Sequence, residues 1–390
     1  MLEYNPILLL VFVCAMSGLV SSCDGFATPQ FQGQKKTELA GNKDASNNHM
    51  IKTGASKIVD TSTISLLEHV NLNVPSHRHV KELYGDILGM RLDPRRAQNA
   101  VKGEGTLWFN CGASQFHLPY GETAQVWNGH LGLLYSSLDD LKDRLEKIST
   151  DYDDDDIPFA EYSMGIDQST GQSHIRIIDH YGNIFLCRQE QNTSNGSNMN
   201  NFSLQQPILQ SSNPEHVDKY GQYLCDKYGN TMECLGLKYV EYWIPPGTAS
   251  KVGTFYESIF DATVTVMDTL CLVACGSIDT NGRAEQYIIF REQQQEEQPC
   301  TYDGHHLAIY VGSSQEDFEV SFERCAQAGV VWVNPRFSDC ATTLDTARKF
   351  NQYRFKDVLD IDTGKVILTL EHEVRSIHHN SHPANSSSKN

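Results

Sequence analysis

No Cys-x-x-Cys pair occurs anywhere in the 390 residues, so neither a zinc ribbon nor a thioredoxin-type motif has support. Positive charge is scarce too: 31 Lys and Arg stand against 49 Asp and Glu, a formal net charge of −18. Phosphate binding needs clustered Lys and Arg, so no nucleic-acid partner is expected. Also missing is a run of roughly 20 apolar residues, the length that spans a bilayer, and no membrane span is expected in the mature chain. The nearest approach is residues 7–13, extended by Ala15, Met16, Leu19 and Val20. It suits the apolar region of a secretory signal covering residues 1–23, although Glu3 and the absence of Lys or Arg before it are unusual.

What is present reads as a globular chain with unstructured ends. Hydrophobic residues make up 39% and charged residues 21%, and the length exceeds one ordinary core, so two domains are expected. Residues 24–63 are rich in Ser, Thr, Asn, Gln and Lys and read as a disordered leader. Phe26-Ala27-Thr28-Pro29, just behind the signal, resembles the aromatic-first transit peptide of algae whose plastids lie inside ER-derived membranes. Entry to the secretory route is therefore expected, with a complex plastid and secretion both open as destinations. Residues 151–156 read as a solvated acidic loop, residues 191–232 as an Asn/Ser/Gln-rich linker, and residues 377–390 as a frayed tail. Asn192, Asn195, Asn201 and Asn385 stand in N-x-Ser/Thr sequons and are candidate glycan sites. Of eleven cysteines, Cys111, Cys187 and Cys271 fall in apolar strands, where a free thiol behaves as a small hydrophobe.

The chain is organised around residues 66–119. His69, Asn71 and Asn73 share one parity and Val70, Leu72 and Val74 the other, which predicts a strand with a polar front and an apolar back. Val80, Leu83, Tyr84, Ile87 and Leu88 follow at helical spacing, and Gly89 ends that run. Residues 90–93, 106–111 and 114–118 then predict three short strands. This strand–helix–three-strand order recurs. Tyr239-Val240-Glu241-Tyr242-Trp243-Ile244-Pro245 echoes His69-Val70-Asn71-Leu72-Asn73-Val74-Pro75, and Gly129-His130-Leu131 matches His305-His306-Leu307. Asp179-His180-Tyr181-Gly182 and Asp360-Ile361-Asp362-Thr363-Gly364 each precede a closing strand. Four modules in two pairs are expected, over residues 64–190 and 233–376.

These markers, together with Phe116-His117-Leu118, resemble the vicinal oxygen chelate superfamily of glyoxalases, bleomycin-resistance proteins and extradiol dioxygenases. The resemblance implies an α+β fold of two glyoxalase-like domains, each a pair of βαβββ modules forming an open, curved sheet cup. It further implies a divalent ion, Zn²⁺ or else Mn, Fe or Ni, held by residues of the first and fourth strands. Carried over by position, the first pair offers His69, His117 and His130, with Gln115 as an alternate if strand four is offset by one. The remaining position, usually Glu, falls on Leu186 here, which departs from the family's ligand sets. Arg188 could line that cup and favours an anionic ligand. In the second pair Tyr239, Ile288 and Leu368 replace ligands and only His306 survives, so that half reads as degenerate, with Tyr239 and His306 as candidate ligand-binding residues. Glu371-His372-Glu373 reads as a polar strand end, Glu371 and Glu373 on one face and His372 on the other. Residues 340–352, near Arg336 and Arg348, read as a loop covering the cup. Two functions stay open: a metal-dependent enzyme on a small oxygen-rich substrate, of lyase, isomerase or oxygenase type, and a metal-free small-molecule-binding protein. A homodimer is compatible with either.

Overall fold

The computed structural model describes residues 58–151, 157–166, 171–189, 233–280, 282–293 and 302–382. All of them fall in one compact unit of residues 54–390. The first strand, β1 (Ile58–Thr61), lies in the stretch read as leader but pairs with a strand of the second half. The first module follows with β2 (Ile64–Asn71), α1 (His77–Val80), β3 (Arg91–Leu92), α2 (Ala97–Lys102), β4 (Thr106–Cys111) and β5 (Ser114–Pro119). Ser76 caps α1 by accepting the His79 N–H at 3.4 Å, and the helix continues as a π-helical stretch, Lys81–Ile87. Gly89 then turns the chain at φ +63°, where a side chain would be strained.

The second module holds β6 (Gly129–Tyr135), α3 (Asp139–Asp151), β7 (Glu161–Ile166), β8 (Ser173–Ile178) and β9 (Ile184–Gln189). The third holds β10 (Cys234–Ile244), α4 (Ala249–Phe260), β11 (Val264–Met267), β12 (Leu270–Asp279) and β13 (Ala284–Glu292). The fourth holds β14 (His306–Val311), α5 (Gln315–Gln327), α6 (Leu344–Phe350), β15 (Gln352–Leu359) and β16 (Val366–Ser376). A reciprocal cap between Ser314 and Asp317 opens α5. None of the described helices is long and apolar enough to cross a membrane.

Two curved sheets result, each built from a pair of modules, but the pairs are not consecutive in sequence. One sheet runs β15-β16-β14-β2-β5-β4-β3 and joins the fourth module to the first. The other runs β1-β12-β13-β10-β6-β9-β8-β7, with β11 on β12, and joins the second module to the third. Each seam is an antiparallel pair of first strands: β2 against β14, and β6 against β10. This exchange decides which side chains can meet.

Register along β2 adds a second local feature. Ala308 faces His69 and Ile309 faces Leu67, so Glu68 is an extra residue in a β-bulge. A bulge re-aims a side chain that strict alternation would send to the opposite face. Glu68 is accordingly buried beside His69, with its carboxylate against the imidazole Nδ1. The apolar faces of both sheets and their helices form one continuous core, with Tyr84, Phe109, Phe116, Tyr256 and Phe355 fully buried or nearly so.

Candidate metal centre

The strand order β16-β14-β2-β5 sets four first- and last-strand positions side by side. Neighbouring strands lie about 4.8 Å apart, so side chains on one face of adjacent strands touch. From β2 comes His69, from β14 His306, from β16 Glu371 and Glu373, and from β5 His117. The Glu373 carboxylate lies between the two first-strand imidazoles. Its Oε2 is 3.7 Å from His306 Nε2 and 4.0 Å from His69 Nε2. His69 and His306 meet edge to face at 5.5 Å, and His117 stacks on His69 at 3.8 Å. Donor atoms of His69, His306 and Glu373 all lie within 4.8 Å of one another, as do those of Glu68, His69 and His117.

All five groups are buried, and the polar atoms around them are mostly satisfied. Arg354 donates through Nη1 to Glu371 Oε1 at 2.7 Å, through Nη2 to Glu373 Oε2 at 2.5 Å and through Nε to Asp339 Oδ2 at 2.8 Å. Arg375 donates through Nε to Glu373 Oε1 at 2.5 Å and through Nη1 to Glu68 Oε2 at 2.9 Å. Glu371 also accepts from Tyr302 Oη at 3.0 Å and from Asn334 Nδ2 at 2.9 Å. Two nitrogens stand apart. Among the described residues, His69 Nε2 and His306 Nδ1 are buried with no hydrogen-bond partner. Orphaned buried polar atoms are rare and costly; His69 Nε2 stands 4.0 Å from Glu373 Oε2, and His306 Nδ1 stands 4.0 Å from Glu371 Oε2.

The surrounding charges set the protonation states of these groups. Burial works against ionising Glu373, but Arg354 and Arg375 outweigh it and hold its carboxyl well below the usual carboxylate range. Glu68 behaves alike: burial opposes its charge, and Arg375 and His69 overcome that. Burial pushes His117 and His306 well below the ordinary imidazole value, helped by Coulomb repulsion from His69 on His117 and from Arg354 on His306. Ionised carboxylates and neutral imidazoles are the forms in which these groups ligate a metal.

The sequence-predicted residues scatter over both sheets. His69 and His117 come together as expected. His130 does not join them: β6 pairs with β10 and β9 in the other sheet, where His130 Nδ1 lies 3.5 Å from Glu241 Oε1 and the ring meets Trp243 edge-on at 5.4 Å. His306, assigned above to a degenerate half, lies beside His69 instead, because β14 is the seam partner of β2. Glu373, read above as part of a polar strand end, brings a carboxylate beside both imidazoles. His372 does point away, its ring stacked on Phe355 at 4.2 Å and its Nε2 in contact with the Tyr256 hydroxyl.

Gln115 is no ligand in this arrangement. Its amide donates to Asp93 Oδ2 at 3.1 Å and Asn110 Oδ1 at 2.5 Å, and its Oε1 accepts from His117 Nε2 at 3.0 Å. Arg188 and Tyr239 sit in the second sheet: Arg188 is buried, its guanidinium bonds the Tyr239 hydroxyl, and that ring packs on Gly132. Within the stretch read as a covering loop, Arg348 pairs instead with Glu319 of α5 at 2.6 Å. Just before it, Asn334 and Asp339 reach the acid end of the cup, while Arg336 reaches Gly304 O at 2.6 Å. The four sequons, at Asn192, Asn195, Asn201 and Asn385, lie outside the described residues. Glu68, Arg354 and Arg375 were not foreseen; the first depends on the bulge, and the other two carry no motif.

No protein-family model matches the sequence, and no curated protein matches it either. Solved structures do. Glyoxalase I from Zea mays has a TM-score of 0.45 at 12% identity, covering 80% of this chain and 92% of that one. A Bacillus subtilis protein provisionally named a dioxygenase has a TM-score of 0.44 at 13% identity, covering 85% and 92%. A lactoylglutathione lyase from Agrobacterium tumefaciens matches over 32% of this chain and 93% of its own, at 16% identity and a TM-score of 0.24. The chain's own described strands form two curved sheets, each built from a pair of modules.

Proposed function

We propose that this chain is a divalent-metal-dependent enzyme acting on a small, oxygen-rich substrate, with His69, His306 and Glu373 as the metal-holding set and His117 within reach. The reading is carried by one observation: a buried imidazole nitrogen without a partner, His69 Nε2, stands 4.0 Å from Oε2 of the buried, ionised Glu373, which His306 Nε2 approaches at 3.7 Å. Bonds of about 2.1 Å to an ion place tetrahedral donors about 3.4 Å apart and opposed donors about 4.2 Å apart. Separations of 3.7 and 4.0 Å fall in that range. Two His and one carboxylate are also the donor set of mononuclear iron oxygenases, and with a water in the fourth position they suit Zn²⁺ as well.

An ion held by His69, His306 and Glu373 would supply Lewis-acid stabilisation of negative charge developing on substrate oxygens. The chain's own residues prepare that chemistry. The Glu68 carboxylate accepts from His69 Nδ1, which leaves the Nε2 lone pair aimed into the cup. Arg354 and Arg375 fix the Glu373 carboxylate: Arg375 engages Oε1 through two nitrogens, and Oε2, bonded by Arg354, keeps a lone pair. Gln115 accepts from His117 Nε2, so the tautomer consistent with that bond leaves Nδ1 as a proton acceptor. His117 is neutral near pH 7 because burial opposes its charge, and it is the group we assign to take a proton from substrate.

A second reading has one observation in its favour: the two guanidiniums already bond both oxygens of Glu373, and a cup so neutralised can hold a ligand without metal. Elemental analysis of protein purified in metal-free buffer separates the two. The enzyme reading expects about one equivalent of divalent ion, lost in His69→Ala, His306→Ala and Glu373→Gln and kept in His130→Ala. Metal-free protein that takes up no ion on titration leaves the metal-independent binding reading.

A further inference from the structure

The described cysteines are all thiols here, and two of them face each other across the boundary between the sheets. Cys111 closes β4 in one sheet and Cys234 opens β10 in the other, 123 residues apart, and their Sγ atoms are 3.1 Å apart. Both are fully buried. The chain is clamped on either side of Cys234. The Glu233 N–H donates to Gly89 O at 3.2 Å. On the other side Gly112, at φ +60°, lies so close that a Cβ there would stand 2.3 Å from Leu235 O. These backbone contacts hold the sulfurs near each other whatever the rotamers do.

We propose that Cys111 and Cys234 form a disulfide that ties the first module to the third, and so one sheet to the other. Disulfide sulfurs lie about 2.05 Å apart, so bond formation needs these two to approach by about 1 Å. In the reaction the two thiols lose two protons and two electrons and the S–S bond forms. The electrons pass by exchange to an incoming disulfide, of a thiol oxidoreductase or oxidised glutathione, which is reduced to two thiols. The bond forms while the chain folds, because in the folded protein neither sulfur reaches solvent. Burial also pushes the Cys111 thiol well up, which starves later exchange of thiolate. Cys187 is the competing partner: it borders Cys234 in the same buried space, under the Tyr135 hydroxyl. A disulfide fits an oxidising route of export, the route that residues 1–23 suggest.

The test uses the full chain, secreted through an oxidising compartment and, in parallel, refolded in a glutathione redox buffer. Thiols are alkylated in denaturant without reductant and the peptides mapped by mass spectrometry. The expected result is a linked peptide pair containing Cys111 and Cys234. The oxidised chain should melt roughly 5–15 °C above the chain refolded in reductant, given a closed loop of this length. A Cys111→Ala/Cys234→Ala variant should show no such dependence on reductant. Full alkylation of both residues overturns the proposal, and so does a Cys187–Cys234 link or a melting point indifferent to reductant. If the double variant does not fold, the peptide map of the unaltered chain decides alone.

Discussion

Each buried charge in the cup is explained by a named neighbour, and the protonation states carry a pH signature. Glu68 and Glu373 have folded pKa values below their unfolded ones, so their stabilisation is complete above about pH 4.5 and lost as pH falls through the folded values. His117 and His306 are buried neutral, also with lowered values, so the unfolded chain binds more protons than the folded one below about pH 6.5. Both pairs act in the same direction. Stability should therefore rise with pH, gently from about 6.5 downward in loss and steeply below about 4.5. Urea unfolding midpoints at pH 7.5, 6.0 and 4.5 check this; a midpoint that climbs on acidification would contradict the assignment of neutral imidazoles.

Between elements, Arg375 has the widest reach. It stands on β16 and bonds both Glu373 of its own strand and Glu68 on the bulge of β2, with β14 between. Replacing it by Met leaves the buried Glu68 without its guanidinium and Glu373 with Arg354 alone, a change that costs about 3–5 kcal/mol for a broken buried pair. Arg348→Met, whose partner Glu319 lies near the surface, should leave the unfolding midpoint unchanged. Equal effects of the two substitutions in chemical denaturation would show that the buried network does not hold the strands. The same strands show what local sequence carries. The alternation of His69 and Asn71 against Val70 and Leu72 is visible in the residues, as is the shared face of Glu371 and Glu373. The bulge at Glu68 is not, because it exists only in the register of β2 against β14, more than 230 residues away in sequence.

At the scale of the whole molecule, repeated modules are legible because each carries its own strand–helix–strand pattern. Their partnership is not. Any first strand can pair with any other through the same backbone bonds, and the choice is made by non-local packing. Pairing neighbours in sequence puts His130 beside His69, whereas the sheets pair the first module with the fourth and bring His306 and Glu373 there instead. Under the proposed assignment, the carboxylate absent at Leu186 is Glu373, on the strand that pairs β14 as β9 pairs β6. Anomalous diffraction from crystals of the full chain grown with a divalent transition metal tests this most directly. The account predicts one strong peak about 2.1 Å from nitrogens of His69 and His306 and from an oxygen of Glu373. A peak beside His130 and Glu241, or an undisturbed Arg354–Glu373 pair with no peak, would contradict it.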